Sequence, residues 1–349
     1  IFYMGINVGG MLGPLVCGWL AQSDSFGWHY GFAAAGFGML FGVIQFHLTR
    51  GYLGTAGIEP VHAEDPVKDA KLRRTAWRVI GLLAVALVAF VLLAINGSFT
   101  LDPIAIARSS TGFILGVVIL FFAWMFTFGK LDTVEKKRVA VFIVLFLASA
   151  MFWSGFEQAG SSLNLFADRY IRLEFDWFTI PSTWFQSVNS LFIIMFAPVF
   201  AYFWVWLARR NLNPSTPAKF AFGVIFIGIG FLMMVIASTV VASGNQAMPT
   251  WLILTYLFHT FGELALSPVG MSATTKLAPK RYVGQLMGVW FVSIALGNLI
   301  AGQIAGDFDP DNLAAFPGQY WQIVLTMAGT GIILLLFTKP LRKLMGGVH

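Results

Sequence analysis

A carboxylate lies within an apolar segment of the sequence. Glu263 stands in HTFGELALSPVG, near the middle of a stretch long enough to cross a membrane. An ionised side chain at bilayer depth costs at least about 2.5–3.5 kcal/mol, so it is expected to face protein or a water-filled cavity. Pro268 follows and cannot donate to the helix backbone, which predicts a broken helix there. This arrangement is typical of transporter binding sites. The alternative is a structural carboxylate paired with another helix.

Two further titratable residues lie in apolar segments. Glu157, in MFWSGFEQAGSSLN, falls near the end of its segment, where it is either a functional acid or a boundary residue that the exterior wets. His259 precedes Glu263 by one helical turn and could share a proton with the carboxylate. The preferred interpretation of His259 is structural, as a histidine hydrogen-bonded to a neighbouring helix.

Single amides and tryptophans are the remaining polar side chains of interest. Asn7 and Asn189 can each hydrogen-bond a ligand or join two helices, and taken alone they favour the second role. Trp153 and Trp290 could line a pocket, although most membrane tryptophans are packing residues or interface anchors. The sequence contains no H-E-x-x-H, G-x-S-x-G or Walker A motif, and its single cysteine excludes a cysteine-based metal site. The protein is therefore predicted not to be an enzyme.

The composition indicates a membrane protein. Hydrophobic residues make up 58% of the 349 residues and charged residues only 11%, against roughly 25% in soluble domains. The mean hydropathy is +0.77. These values exclude a soluble enzyme, a nucleic-acid-binding domain and a disordered chain. The 22 Lys and Arg residues stand in short loops between apolar runs, so the basic pI does not indicate a nucleic-acid partner.

Ten apolar stretches are long enough to span a bilayer as helices. They lie at about 1–21, 29–48, 76–95, 111–129, 139–158, 181–207, 220–242, 250–275, 282–305 and 319–338. Strands are not expected, because the apolar runs are continuous rather than alternating. Lys and Arg gather on the side that carries the C-terminus, and only Arg108, Arg169 and Arg172 fall on the other side. The positive-inside rule then places the C-terminus in the cytoplasm.

The loops suggest how the spans are grouped. The longest connection, about 49–75, mixes Gly, Pro and both charge signs and is predicted to be a linker. A second charged connection, GKLDTVEKKR at 129–138, precedes the last six spans. The chain starts with Ile1 inside an apolar run, and we expect it to be the downstream part of a longer polypeptide.

Three segments together resemble the proton-coupled oligopeptide transporter family of the major facilitator superfamily. They are FYMGINVGGMLGPLVCGWL at 2–20, FWSGFEQAGSSLNLFADR at 152–169 and HTFGELALSPVGMSATTKLAP at 259–279. They are similar to the family's fifth, seventh and tenth helices, in that order. The resemblance implies an all-α polytopic membrane protein of the superfamily fold, bacterial in type, from which the family's first four helices are absent.

The resemblance also implies a division into three parts. Residues 1–48 would be the last two helices of the N-terminal six-helix bundle. Residues 49–138 would be a cytoplasmic linker with two extra membrane helices, and 139–349 the C-terminal six-helix bundle.

Site roles follow from the same resemblance. Asn7 matches the asparagine that contacts the peptide backbone, and Asn189 the one that holds the peptide amino terminus. Glu263 matches the acid that binds this amino group and pairs with a lysine. Glu157 matches a proton-coupling and gating acid that pairs with an arginine. The remaining pocket residues would be Trp153, Trp290 and, more weakly, Ser267.

The implied function is a proton-coupled symporter that imports di- and tripeptides across the bacterial inner membrane by alternating access. It would work as a monomer in the lipid bilayer, with protons as coupling ion, no other cofactor and no nucleic-acid partner. Two alternatives stay open: a transporter of the same fold for another small anionic or amino-acid-like substrate, and a membrane subunit that does not transport.

Overall fold

The computed structural model describes residues 2–23, 25–54, 65–97, 102–176, 178–309 and 312–347. This part of the chain is almost entirely helical. Its α-helices are α1 Phe2–Ala21, α2 Trp28–Thr49, α3 Pro66–Ile95, α4 Pro103–Phe128, α5 Thr133–Phe156, α6 Ser162–Tyr170, α7 Phe185–Arg209, α8 Thr216–Ala242, α9 Pro249–Leu277, α10 Val283–Gly306 and α11 Phe316–Leu344. All except α6 are long and apolar enough to cross a membrane, so the ten predicted spans are confirmed among the described residues.

The predicted linker is partly helical. A 3₁₀ turn covers Arg50–Leu53, and α3 already begins at Pro66, so the interpretation of 66–75 as linker is wrong. Asp65 caps α3, because its side chain accepts a hydrogen bond from the backbone N–H of Val67 at 2.9 Å, and Pro66 occupies the first turn. Because α3 has 30 residues and about 20 are enough to cross the bilayer, its charged first turns can lie outside the hydrocarbon core of the membrane. Residues 55–64 fall outside the described residues.

The described residues form two compact units, 36–109 and the remainder. Within 36–109, the apolar side chains of α3 are exposed: Leu82, for example, is 70% and Trp77 68% exposed. The larger unit contains the packed core. The division at 48 and 138 stays a prediction.

Helix α8 packs against both α9 and α11, while α5 packs against α10. Small residues permit these approaches. A Cβ atom at Gly262 of α9 would lie 2.7 Å from the carbonyl oxygen of Gly223 of α8. Large aromatic side chains fill the remaining space, and the following are fully buried: Phe142, Phe146, Phe152, Phe220, Phe231, Tyr256 and Tyr320.

Helix α1 lies along α7. The indole N–H of Trp184, just before α7, donates to the carbonyl of Leu15 at 3.1 Å. The hydroxyl of Ser187 donates to the carbonyl of Met11 at 2.8 Å. Gly10 allows the close approach, since a Cβ atom there would lie 2.7 Å from Oγ of Ser190.

The loop between α6 and α7 holds the only strands of the described residues. β1 Glu174–Phe175 pairs with β2 Phe178–Thr179 in an antiparallel hairpin. The expectation of no strands concerned the apolar runs, and these are helical. The hairpin lies between membrane-length helices, where the apolar runs that argued against strands are interrupted.

Pro268 does not break α9, which runs without interruption from Pro249 to Leu277. The predicted break is wrong because neighbouring helices support the segment. Leu266 packs on Gly223 of α8, where a Cβ atom would lie 3.0 Å from that of Leu266. Packed membrane helices tolerate a proline in this way.

Candidate functional site

The site is built around the side chains of Glu263 on α9 and Asn189 on α7. The amide nitrogen Nδ2 of Asn189 lies 3.2 Å from Oε2 of Glu263. Glu263 is 8% exposed and Asn189 is half-buried. The structure therefore brings together the two residues predicted to receive the peptide amino terminus. Neither helix contains another aspartate or glutamate. Glu263 is therefore the one acidic side chain of α7 and α9.

Thr260 completes the arrangement. Its hydroxyl donates to the carbonyl of Tyr256 at 2.7 Å and accepts from Nδ2 of Asn189 at 3.0 Å. Both hydrogens of the Asn189 amide are thereby used, one on Thr260 and one on Glu263. Only the orientation with Nδ2 facing these two oxygens pairs a donor with each acceptor. Oδ1 of Asn189 is then left as an acceptor, with no partner among the described residues.

Ser267 follows Glu263 by one turn on the same face of α9 and is half-buried. It is placed to add a hydroxyl beside the carboxylate. An ionised carboxylate, an amide oxygen and a hydroxyl are all acceptors, and together they suit a ligand that brings several N–H donors. An ammonium group has three such donors.

Asn7 lies on α1 and is 8% exposed. It stands one turn before Gly10, the residue that approaches Ser190, and Ser190 is the neighbour of Asn189 in α7. The structure therefore places Asn7 one turn away from the part of α1 that approaches the Asn189 turn of α7.

Glu157 lies at the end of α5 and is half-buried. It begins a 3₁₀ turn, Glu157–Gly160, which Gln158 anchors. The buried Gln158 amide donates to the carbonyl of Ala301 on α10 at 3.2 Å and accepts from the hydroxyl of Ser162. Glu157 is thus held at a fixed junction between α5 and α10, and its gating role stays a prediction.

The two tryptophans are packed against glycines. Trp153 is 9% exposed and lies on Gly297 of α10, where a Cβ atom would lie 2.5 Å from its own Cβ. Trp290 is 2% exposed and lies on Gly270 of α9, with Phe220 of α8 at 6.0 Å between ring centroids. Both contribute packing, and their role as pocket walls stays a prediction.

His259 packs against α8, but the expected hydrogen bond to a neighbouring helix is not found among the described residues, because both ring nitrogens are buried without a hydrogen-bond partner. It is 1% exposed, and its ring lies over Gly230, where a Cβ atom would be 2.5 Å from Cδ2. Phe231 lies 5.1 Å away between ring centroids.

Sequence reasoning missed Thr260 and Gln158. Thr260 stands three residues before Glu263, a spacing that places both on one helix face, so the pattern could have indicated it. No sequence signal pairs Gln158 with a carbonyl on α10, because the partner is a backbone atom 143 residues away.

The membrane-length helices and the buried carboxylate–amide pair define a helical membrane transporter. The POT family profile, PTR2, matches residues 1–317, and the chain belongs to this family. It is a multi-pass membrane protein with the fold of the major facilitator superfamily.

Named relatives and a solved structure support the assignment to this family. The chain is 37% identical to "Peptide transporter YePEPT" of Yersinia enterocolitica, over all of this chain and 68% of that protein. It is 32% identical to a "Di-/tripeptide transporter" of Lactococcus lactis, over all of this chain and 69% of that protein. A crystal structure of peptide transporter POT in complex with sulfate superposes with a TM-score of 0.87 at 35% identity, covering 99% of this chain and 68% of that one.

Proposed function

We propose that the protein is a proton-coupled symporter that imports di- and tripeptides by alternating access. The observation that carries this proposal is the 3.2 Å contact between Nδ2 of Asn189 and the buried carboxylate of Glu263. Two relatives that are named as peptide transporters support the substrate class.

A peptide is a zwitterion with a fixed separation of charges and variable side chains. Glu263 and the free Oδ1 of Asn189 offer acceptors to its ammonium group, with Ser267 one turn away. A charge-assisted hydrogen bond of this kind is about twice as strong as a neutral one. These acceptors contact only the amino terminus of the peptide, so they place no restriction on its side chains. Asn7 would contact the peptide backbone, and Trp153 and Trp290 would bound the side-chain pockets.

Proton coupling requires acids whose charge can be neutralised either by a proton or by a basic partner. Glu263 and Glu157 are the candidates among the residues of the membrane helices. Exchange between these partners makes or breaks ion pairs between helices and so shifts the balance of conformations. Protons are then the coupling ion, and the proposed mechanism needs no further cofactor.

The proposal includes a topology. The ten helices would cross the bacterial inner membrane with the C-terminus in the cytoplasm, where the Lys and Arg residues of the loops gather. The protein would function as a monomer. Residues 1–48 would belong to one bundle and 139–349 to the other, with 49–138 as the insert between them.

The test is uptake into liposomes that contain the purified protein. An inward proton gradient should drive accumulation of labelled di- and tripeptides, and a protonophore should abolish it. Excess unlabelled dipeptide should compete, while nitrate and single amino acids should not. Uptake driven by the gradient but blocked only by nitrate or an amino acid would indicate the other substrate class. Binding without any gradient-dependent uptake would contradict coupled transport.

A further inference from the structure

A cavity lies at the turn where α7 ends and α8 begins, far along α7 from the Asn189–Glu263 pair. We define the α7–α8 cavity by its polar lining, Asn211, Asn213, Ser215, Thr216, Lys219 and Arg342. Its volume is about 400 Å³. Within the part of the chain that the structure describes, no acidic side chain lines it. Its charged groups are therefore cations only.

The turn is shaped by the end of α7. Asn211 has a left-handed backbone, with φ of 58°, and the N–H of Leu212 donates back to the carbonyl of Leu207 at 2.9 Å. Helices commonly end at a residue with this left-handed backbone conformation. That residue is usually glycine and sometimes asparagine. The chain is thereby directed into α8 with the two asparagine side chains beside the start of that helix.

The start of α8 offers hydrogen-bond donors that no described residue accepts. Ser215 is the N-cap residue, but its side chain makes no capping bond, and its buried Oγ has no partner in the described part of the chain. Thr216 is 9% exposed and lines the cavity, and its hydroxyl has no partner among the described residues. The first N–H groups of a helix are unpaired within the helix and carry a partial positive charge. Such a terminus is suited to an anion.

Two cations face this terminus. Lys219 is half-buried one turn into α8, with its Nζ 4.6 Å from the centre of the Trp204 ring. Arg342, near the end of α11, also lines the cavity. Neither side chain forms an ion pair with any residue that the structure describes. Among the described residues that line the cavity, no negative charge balances these two cations.

We propose that the α7–α8 cavity binds a phosphate group, either free or as the headgroup of an anionic phospholipid. A phosphate has several acceptor oxygens, which match a helix N-terminus, two hydroxyls, an ammonium and a guanidinium at once. The cavity lies where α8 begins, and the end of a helix of membrane-spanning length is expected near the lipid headgroups. Basic pockets between membrane helices bind anionic headgroups in the same way.

The experiment compares lining residues with a neighbour that does not line the cavity. Lys219→Gln, Arg342→Gln and Thr216→Val change the cavity, and Lys343→Gln removes an equal charge next to Arg342. Binding of phosphatidylglycerol, phosphatidylcholine and inorganic phosphate to the delipidated protein is measured by native mass spectrometry and calorimetry. We expect each charge substitution in the cavity to weaken phosphate-group binding about tenfold, and Lys343→Gln to change it by less than about twofold.

The two sources of the phosphate group give different results. A lipid site binds phosphatidylglycerol more tightly than phosphatidylcholine and responds to the three cavity variants, whereas a site for free phosphate shows the same response with inorganic phosphate alone. Equal weakening by Arg342→Gln and Lys343→Gln would mean diffuse surface attraction and would overturn the proposal. Absence of binding by both phosphatidylglycerol and phosphate to the unmodified protein would also overturn it. Thr216→Val removes a hydroxyl and leaves the net charge of the protein unchanged, so weaker binding by this variant cannot result from a change in net charge.

Discussion

Asn189 donates a hydrogen bond to Glu263 across 3.2 Å, although the two residues are 74 positions apart in the chain. The bond ties α7 to α9 at the buried carboxylate. Because Thr260 takes the other hydrogen of the same amide, Asn189 is held from two points on one face of α9. The position of the carboxylate therefore depends on α7, and a shift of α7 along α9 would change the acceptors offered to a ligand.

The Thr260 hydroxyl should position Asn189 for substrate. Thr260→Val keeps the shape of this fully buried side chain and removes both of its hydrogen bonds. A neutral hydrogen bond contributes about 0.5–1.5 kcal/mol, so we expect roughly a two- to tenfold loss of peptide affinity. The measurement is dipeptide binding by calorimetry.

Thr239→Val is the matched control, because Thr239 is exposed and its hydroxyl bonds only to the carbonyl of Val235, within its own helix. It should leave peptide affinity unchanged. If the two valine variants behave alike, Thr260 does not act on the substrate through Asn189.

Much of the helical framework could be predicted from the sequence. Continuous apolar runs and the distribution of loop charges predict ten spans. The signal is strong because each helix that crosses the bilayer needs about 20 mostly apolar residues. The start of α3 at Pro66 could not be read in this way, since its first turns are charged and are stabilised by the Asp65 cap. The hairpin of β1 and β2 was missed because two-residue strands leave no periodic pattern.

The site could be predicted only in part. Glu263 is conspicuous as an acid in an apolar run, and the family resemblance adds Asn189. Their direct bond, and the shared role of Thr260, depend on how α7 and α9 pack. Contacts between these two helices, such as the rings of Phe196 and Phe261 at 5.1 Å between centroids, join residues far apart in the chain, which a single sequence does not pair.

The contact of α5 with α10 should be sensitive to an added methyl group at Gly297. A Cβ atom there would lie 2.5 Å from Cβ of Trp153 and 2.9 Å from the carbonyl oxygen of Ala150, so backbone must move. Overpacking of this kind costs about 1–3 kcal/mol. Gly297→Ala should lower the unfolding temperature in detergent.

Gly302→Ala lies on the same helix, where an added Cβ atom meets nothing within 4 Å. It should leave the unfolding temperature unchanged or raise it slightly, since alanine favours helix more than glycine does. A fall in Gly302→Ala as large as that in Gly297→Ala would mean that helix α10 is sensitive to any substitution, and not to the Trp153 contact.

Glu157 is expected to hold the outer gate closed by pairing with a basic group. Glu157→Gln removes the charge at nearly constant size, so the gate should open more often and proton-driven uptake should fall. Spin labels at Ser25 and Asn245, two exposed loop positions, should report a wider mean separation at neutral pH. Glu174→Gln, in the exposed hairpin, is the control and should change neither quantity. An unchanged distance distribution with normal uptake would identify Glu157 as a boundary residue.

The central claim is that Glu263 receives the amino group of the peptide. The most direct test compares a free and an N-acetylated dipeptide against the unmodified protein and Glu263→Gln, since the four affinities isolate the interaction of carboxylate with ammonium. Loss of a charge-assisted bond costs about 1.5–3 kcal/mol, so the free dipeptide should bind Glu263→Gln roughly 10- to 150-fold more weakly. The acetylated dipeptide should bind the unmodified protein weakly and lose little more in the variant. Equal losses for both peptides would contradict the claim and would leave Glu263 a role in packing or proton transfer alone.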